Sequence, residues 1–247
     1  MKTAPHPDRR TRRAHPRRRT FLLWVAAATP ALPCSWLGFH APVIAGAARV
    51  AAAATAAATL AIQPFGRVTD TELDFIERAL AAFFDFRVQR LPARPLPVEA
   101  YHAARRRHRA DKILDALGRQ PNARAFDRVV GVTAGDISTT KGPYPDWGVM
   151  GLGIIGGRAC VVSSFRCKRR APTPAVATVR LAKMTIHEIG HTLGLQHCPT
   201  LGCLMEDAAG SVLTSDRDTD LCADCRARSA AHGFTVKRTP SFHWTLT

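Results

Sequence analysis

The chain has 247 residues, 46% of them hydrophobic, which fits one globular domain with an appendage and leaves enough length to bury a core. Seven cysteines are too few for a disulfide scaffold, and no helix-turn-helix, RRM or other nucleic-acid module accompanies the net charge of +16. Nearly half of that charge lies in residues 1–20, where Lys2, Arg9, Arg10, Arg12, Arg13, Arg17, Arg18 and Arg19 oppose only Asp8; the remainder reads as Arg-rich composition rather than a nucleic-acid or anionic-membrane surface.

Residues 1–20 form a basic region, and Arg18-Arg19-Thr20-Phe21-Leu22 resembles the twin-arginine export motif. An uncharged stretch from Thr20 to Ala48 opens on Phe21-Leu22-Leu23-Trp24-Val25, the apolar segment of a signal peptide. Pro30, Pro33 and Pro42 disfavour a regular spanning helix, and Ala45-Gly46-Ala47 fits a cleavage site. The expected localisation is periplasmic or extracellular, with an uncleaved N-terminal membrane anchor as the alternative. Cys34, preceded by Pro33, falls in no lipobox. The Ala-rich run Val50–Ala61 reads as linker, so the chain divides into signal and linker over 1–61 and one globular domain over 62–247.

Thr69-Asp70-Thr71-Glu72 is a capping box, and Leu73, Ile76, Leu80, Phe83 and Phe84 continue it as a helix over 70–84. Phe86–Leu91 alternates as a strand, Pro92, Pro95 and Pro97 make a loop, and 98–118 reads as a second helix with Arg105-Arg106-Arg107-His108-Arg109 on a solvated face. Phe126–Thr133 is an apolar strand leading to the Gly135-Asp136 turn. Trp147–Ile154 is a glycine-interrupted strand, followed by the strand Ala159–Ser163. Its glycines mark either a plain hairpin around Gly156-Gly157 or an edge where a peptide adds as an extra strand. Pro174 opens a helix over 175–193 with Val176, Val179, Ala182, Ile186 and Ile189 as its apolar stripe. A loop-rich stretch over 198–218 precedes a last helix over Asp220–His232, and 233–247 carries no readable element.

The chemistry is concentrated in His187-Glu188-Ile189-Gly190-His191-Thr192-Leu193-Gly194-Leu195-Gln196-His197. Four-residue spacing puts His187 and His191 on one helical face, where they can share one Zn²⁺. Glu188 adjoins the first ligand, within reach of a metal-bound water. Gly194 can end the helix with φ > 0 and bring His197 back as a third ligand, leaving a fourth position open. Met205 fits a methionine turn, an apolar floor under the metal. Cys198, Cys203, Cys222 and Cys225 can complete a closed tetrahedral site, with two disulfides as the alternative for an exported protein. Cys160 and Cys167 stand outside the pattern, as a pair or as buried thiols.

The stretch from His187 to Cys198, with Cys203-Leu204-Met205 and Cys222-Ala223-Asp224-Cys225, resembles the archaemetzincins, metzincin-like zinc peptidases with a second, structural zinc. Weaker similarity extends over Val130-Gly131-Val132-Thr133 and Val162-Ser163-Ser164-Phe165-Arg166. The resemblance implies an α/β, metzincin-like single catalytic domain: a twisted mixed β-sheet with packed helices, an active-site helix and a zinc-stabilised C-terminal part. It implies His187, His191 and His197 on a catalytic zinc, Glu188 as general base for a zinc-activated water, and Met205 as the Met-turn. It also implies Cys198, Cys203, Cys222 and Cys225 on a structural zinc, hence two Zn²⁺ per chain. The tyrosines, Tyr101 and Tyr144, both lie far from Met205 in sequence, so no tyrosine is assigned to the oxyanion. The expected activity is hydrolysis of a peptide or protein substrate by a monomer that binds no specific nucleic acid and meets a membrane only through an uncleaved signal. No residue separates aminopeptidase from endopeptidase action. A catalytically weak, zinc-stabilised peptide- or anion-binding protein is the alternative, and Glu188 argues against it, because binding needs no base. A zinc-dependent nucleic-acid binder is the third reading, marked by steep salt dependence.

Overall fold

The first strand, β1 (Thr59–Phe65), begins inside the stretch read as linker, so Thr59–Ala61 belong to the sheet. Asp127 sets its start: the Thr59 N–H and Oγ1–H both donate to Asp127 Oδ2 at 2.8 Å. The run of alanines hides this onset, because the anchoring carboxylate is remote in sequence. The computed structural model describes residues 57–208, 211–237 and 242–246; the basic leader, the apolar segment, the cleavage-site residues and Cys34 lie outside them. Among the described residues no helix is long and apolar enough to cross a membrane.

In α1 (Asp70–Phe83) the capping box is complete: the Glu72 N–H donates to Thr69 Oγ1 at 3.2 Å and the Thr69 N–H to Glu72 Oε2 at 3.0 Å. β2 (Arg87–Arg90) then runs parallel to β1. The single helix expected over 98–118 is not formed. Two 3₁₀ turns, Val98–Ala100 and Ala103–Arg105, flank β3 (Tyr101–His102); β4 (Arg107–Arg109) follows, and α2 covers Ala110–Arg119 alone. Nor is the arginine run a solvated helix face. Arg107 lies 3.2 Å from Asp136 and 3.4 Å from Asp146, and Arg105 lies 3.0 Å from Asp146. These distant carboxylates override the helix propensity of an Ala/Arg run, and Arg106 takes φ +51°, outside any right-handed helix.

The chain continues through α3 (Pro121–Arg124), β5 (Arg128–Thr133), β6 (Ile137–Lys141), β7 (Tyr144–Val149), β8 (Gly151–Gly153) and β9 (Ala159–Ser163). It ends with α4 (Ser164–Cys167), α5 (Pro174–Thr192), α6 (Thr214–Arg217) and α7 (Ala223–Ala231). The main sheet has the order β2-β1-β5-β9-β8, parallel except for β8, which pairs antiparallel with β9 and leaves an open edge. Its inner strands are apolar on both faces, as buried parallel strands must be. Leu60, Ile62, Val130, Val132 and Val162 cluster with Phe75, Ile76, Leu181 and Ile186 of α1 and α5. Ala61, Val129 and Val161 cluster with Ile113, Leu114 and Leu117 of α2.

A second sheet has the order β3-β4-β6-β7. The stretch Trp147–Ile154, expected as one strand, is divided between the two sheets at Met150, whose carbonyl accepts the Ser163 N–H at 2.8 Å. At the C-terminus, Phe242 and Trp244 pack on α1, with ring centroids 5.8 Å from Phe75 and 5.6 Å from Phe83 respectively.

Candidate active site

α5 starts cleanly: Thr173 caps it by accepting the Val176 N–H at 3.3 Å, and Pro174 occupies the first turn, where its missing N–H is not needed. From Leu181 to Thr192 every residue is buried, so each polar side chain there requires a partner. His187 Nδ1 lies 2.6 Å from the Leu204 carbonyl and His191 Nδ1 lies 2.8 Å from the Leu195 carbonyl. A carbonyl can only accept, so both Nδ1 atoms donate and the lone pairs fall on Nε2. The two Nε2 atoms face each other at 3.0 Å.

Burial, reinforced by the neighbouring imidazole, pushes His187 down to about 3, and burial lowers His191 as well. Neither ring therefore carries a second proton at neutral pH, and two lone pairs are aimed at one another. A cation between them removes the repulsion. Two nitrogens bound tetrahedrally at about 2.0–2.1 Å to one Zn²⁺ lie roughly 3.3 Å apart, close to what is seen. His197 joins them: one ligand atom from each of the three rings falls within 4.8 Å of the others. It is half exposed, with Nδ1 3.6 Å from Asp207.

The turn after α5 places the third ring. Gly194 has φ +90°, and a Cβ there would come within 2.8 Å of the His232 imidazole, so both the backbone angle and the space demand glycine. Its N–H bonds the His191 carbonyl and the Leu195 N–H bonds the Gly190 carbonyl, which brings the Leu195 carbonyl under His191. Met205 is fully buried with Sδ against Gly190. Its carbonyl accepts the Cys198 N–H at 2.8 Å, while the adjacent Leu204 carbonyl orients His187. One short segment thus reaches both ligand groups.

Glu188 lies under β8. A Cβ on Gly151 would meet Glu188 Oε1 at 2.5 Å, and one on Gly153 would meet the Glu188 carbonyl at 2.7 Å. The Gly-Leu-Gly of β8 is what lets a strand rest directly on this helix. β8 is the outer strand of a hairpin with β9 and also the edge of the sheet. Burial pushes the Glu188 carboxyl up to about 8, against the pull of the Gly153 N–H; a nearby cation favours its ionised form. A cleft of about 950 Å³ is lined by Trp147, Val149 and Leu152, by Val212 and Leu213, and by His187, Glu188, His191 and His197.

The cysteines gather as a second group. Cys198 and Cys222 have their sulfurs 3.6 Å apart, and Cys203 and Cys225 3.7 Å; all four sulfurs fall within 4.8 Å of one another. A disulfide needs about 2.05 Å, so neither pair is bonded. Four thiolates about 2.3 Å from one Zn²⁺ lie about 3.8 Å apart, which matches. The hydrogen bond between the Cys203 and Cys225 sulfurs pushes Cys203 down to about 5, and the Cys222 N–H, at the start of α7, adds to it from 3.4 Å. Cys160 and Cys167 are buried free thiols in the core.

Arg180 and Lys183 escaped the sequence reading. Arg180 is 1% exposed; its Nε and Nη2 donate to Asp216 at 2.7 Å, and its Nη1 donates to the carbonyls of Cys167 at 3.0 Å and Arg169 at 2.7 Å. Lys183 donates to the Ser215 carbonyl at 2.8 Å. Together they fasten α6 and the turn after α4 to the active-site helix. Two cations in a helical stretch that is otherwise apolar or threonine up to His187 were the available signal.

The model of peptidase family M54 matches residues 90–229. An archaemetzincin of Methanocaldococcus jannaschii is 29% identical over 181 residues, covering 72% of this chain and 96% of the relative. One from Halobacterium salinarum is 29% identical over 155 residues, covering 60% and 86%. Among solved structures, the Methanopyrus kandleri archaemetzincin superposes with a TM-score of 0.62 at 28% identity, over 71% of this chain and 95% of that one. The Archaeoglobus fulgidus archaemetzincin, complexed with malonate, gives 0.59 at 30%, over 69% and 99%. A family model that spans more than half the chain, and relatives matched over nearly their whole length in sequence and fold, lead to one conclusion: the chain belongs to peptidase family M54, with the archaemetzincins, and is a zinc metallopeptidase.

Proposed function

We propose that the chain hydrolyses peptide bonds at the His187–His191–His197 cluster with Glu188 as general base, and that it holds two zinc ions. His187, His191 and His197 would hold the catalytic ion; Cys198, Cys203, Cys222 and Cys225 would hold the structural one. When bound, the catalytic zinc supplies a Lewis acid for the scissile carbonyl. A peptide adds to the free edge of β8 as an extra strand, which brings its backbone over Glu188. Glu188 takes one proton from the attacking water as its oxygen bonds to the carbonyl carbon. It then gives that proton to the leaving nitrogen as the C–N bond breaks. The Gly153 N–H favours the ionised form of the Glu188 carboxyl. The observation that carries the reading is the pair of Nε2 lone pairs meeting at 3.0 Å beside a buried carboxylate.

Digestion of a peptide library by the wild type, by Glu188→Gln and by a chelated sample tests it; equal cleavage by wild type and Glu188→Gln would overturn the assignment of the base. Metal analysis of the purified chain should return two zinc ions. Export through the twin-arginine pattern at Arg18-Arg19 is part of the same proposal and rests on sequence alone. Cell fractionation comparing the chain with an Arg18→Lys, Arg19→Lys variant tests it, and an unchanged distribution would argue against export.

A further inference from the structure

The cleft is chemically lopsided. Its two carboxylates belong to the catalytic end: Glu188 beside the paired imidazoles and Asp207 against His197. Four cations line another part of it, Lys141 at the end of β6 and Arg166, Arg169 and Arg170 at and after α4. Arg166 is fixed as wall, with Nε 2.9 Å from Asp136 and its guanidinium lying against Gly148. Asp136 is shared with Arg107 at 3.2 Å, so this wall keeps an excess of positive charge.

Lys141, Arg169 and Arg170 are exposed, and among the described residues no carboxylate pairs with them. Elsewhere arginines do find acids: Arg90 meets Asp70, Asp74 and Glu77, Arg217 meets Glu206, and Arg226 meets Asp220. Other cations among the described residues, such as Arg87, Arg94 and Lys168, also lack an acid partner, so what sets this group apart is its shared place along the cleft. Its platform is also held firmly. The buried Arg180 donates to the Cys167 and Arg169 carbonyls, and Arg170 takes φ +52° at the tip of that turn.

We propose that the Lys141–Arg166–Arg169–Arg170 group is a carboxylate-binding subsite that selects acidic peptides, with the negative charge on one side of the scissile bond. The proposal rests on the reading of this cleft as the catalytic groove. A guanidinium presents a planar fork that matches a carboxylate. A cleft lined by one sign of charge also raises the local concentration of the opposite charge, an effect that salt weakens.

The test uses peptides with one cleavable bond and Glu, Gln or Lys at successive positions on either side of it, with free or amidated C-termini. At low salt, Glu on one side alone should raise kcat/KM about ten-fold over Gln, Lys should lower it, and about 0.5 M salt should shrink the difference. A gain that disappears on amidation assigns the subsite to a terminal carboxylate; one that persists assigns it to side chains. The paired Arg169→Glu, Arg170→Glu variant should reverse the order to Lys over Glu; both side chains are exposed, and Arg180 grips the Arg169 backbone rather than its side chain. No preference, equal preference on both sides, or a Glu preference that survives charge reversal would overturn the subsite. Binding of the same peptides to Glu188→Gln reads the subsite without turnover. A Glu preference in binding with no cleavage by wild type would sink the catalytic reading and keep the subsite. Equal binding of Glu, Gln and Lys peptides would sink the subsite whatever the turnover.

Discussion

His187 and His191 stand on one buried helix, their partner His197 is half exposed on a loop, and a cleft opens onto the group. Cys198, Cys203, Cys222 and Cys225 come from three separate segments, three of the four are buried, and none lines the cleft. The two groups meet at the dipeptide His197-Cys198, yet they differ in what they ask of the fold. The histidine group needs a rigid base and one open side. The cysteine group needs only closure, and in closing it draws Cys198, Cys203 and the start of α7 together. The expectation is that damage to the first is read in rate and damage to the second in stability.

Glu188→Gln should show the largest effect: kcat should fall by about 10³-fold, within the range general base catalysis supplies, with little change in melting temperature. A loss of similar size in stability instead would erase the distinction between the groups. Cys225→Ser should cost about 4 kcal/mol, as the loss of a closed metal site does. For a domain of this size that is roughly 8–16 °C in Tm, with zinc content falling by one. If kcat fell while Tm stayed, the cysteine group would have to be counted as part of the catalytic one. Gly151→Ala should push β8 off Glu188, since the added Cβ would sit 2.5 Å from the carboxylate. The expected cost is about 10²-fold in kcat from misplacement of the base, and Tm should fall only slightly. Thr69→Ala, far from both groups, gives the baseline: loss of the capping box should cost about 1 kcal/mol, seen as a few degrees in Tm and no change in kcat.

The parts legible in the sequence are those whose partners are close in sequence. The capping box spans four residues, the two helical histidines are one turn apart, and Gly194 lies between His191 and His197; each could be read locally. β5 and β9 were equally plain, because burial on both faces leaves them uniformly apolar, whereas β1, just as buried, was hidden behind the alanine run that leads into it. The second sheet was illegible for the opposite reason. Arg105 and Arg107 look like a solvated helix face until Asp136 and Asp146 are brought to them, and those carboxylates lie some thirty to forty residues downstream. Met150, where the chain leaves one sheet for the other, carries no local mark. Arg180 likewise makes sense only once Asp216 and the Cys167 and Arg169 carbonyls surround it. The two glycines of β8 were noticed, but their reason, the carboxylate beneath them, belongs to a helix more than thirty residues later.

β1 opens the described fold but sits inside the main sheet, hydrogen-bonded to β2 on one side and β5 on the other. Any maturation that trims the N-terminus must therefore stop before Thr59, because a cut beyond it would remove a central strand rather than a leader. Conversely, a newly made chain cannot complete this sheet until β5 and β9 have been synthesised, about a hundred residues after β1 has emerged. Among the described strands the one made first waits longest for its neighbours, which leaves an apolar segment uncovered during synthesis.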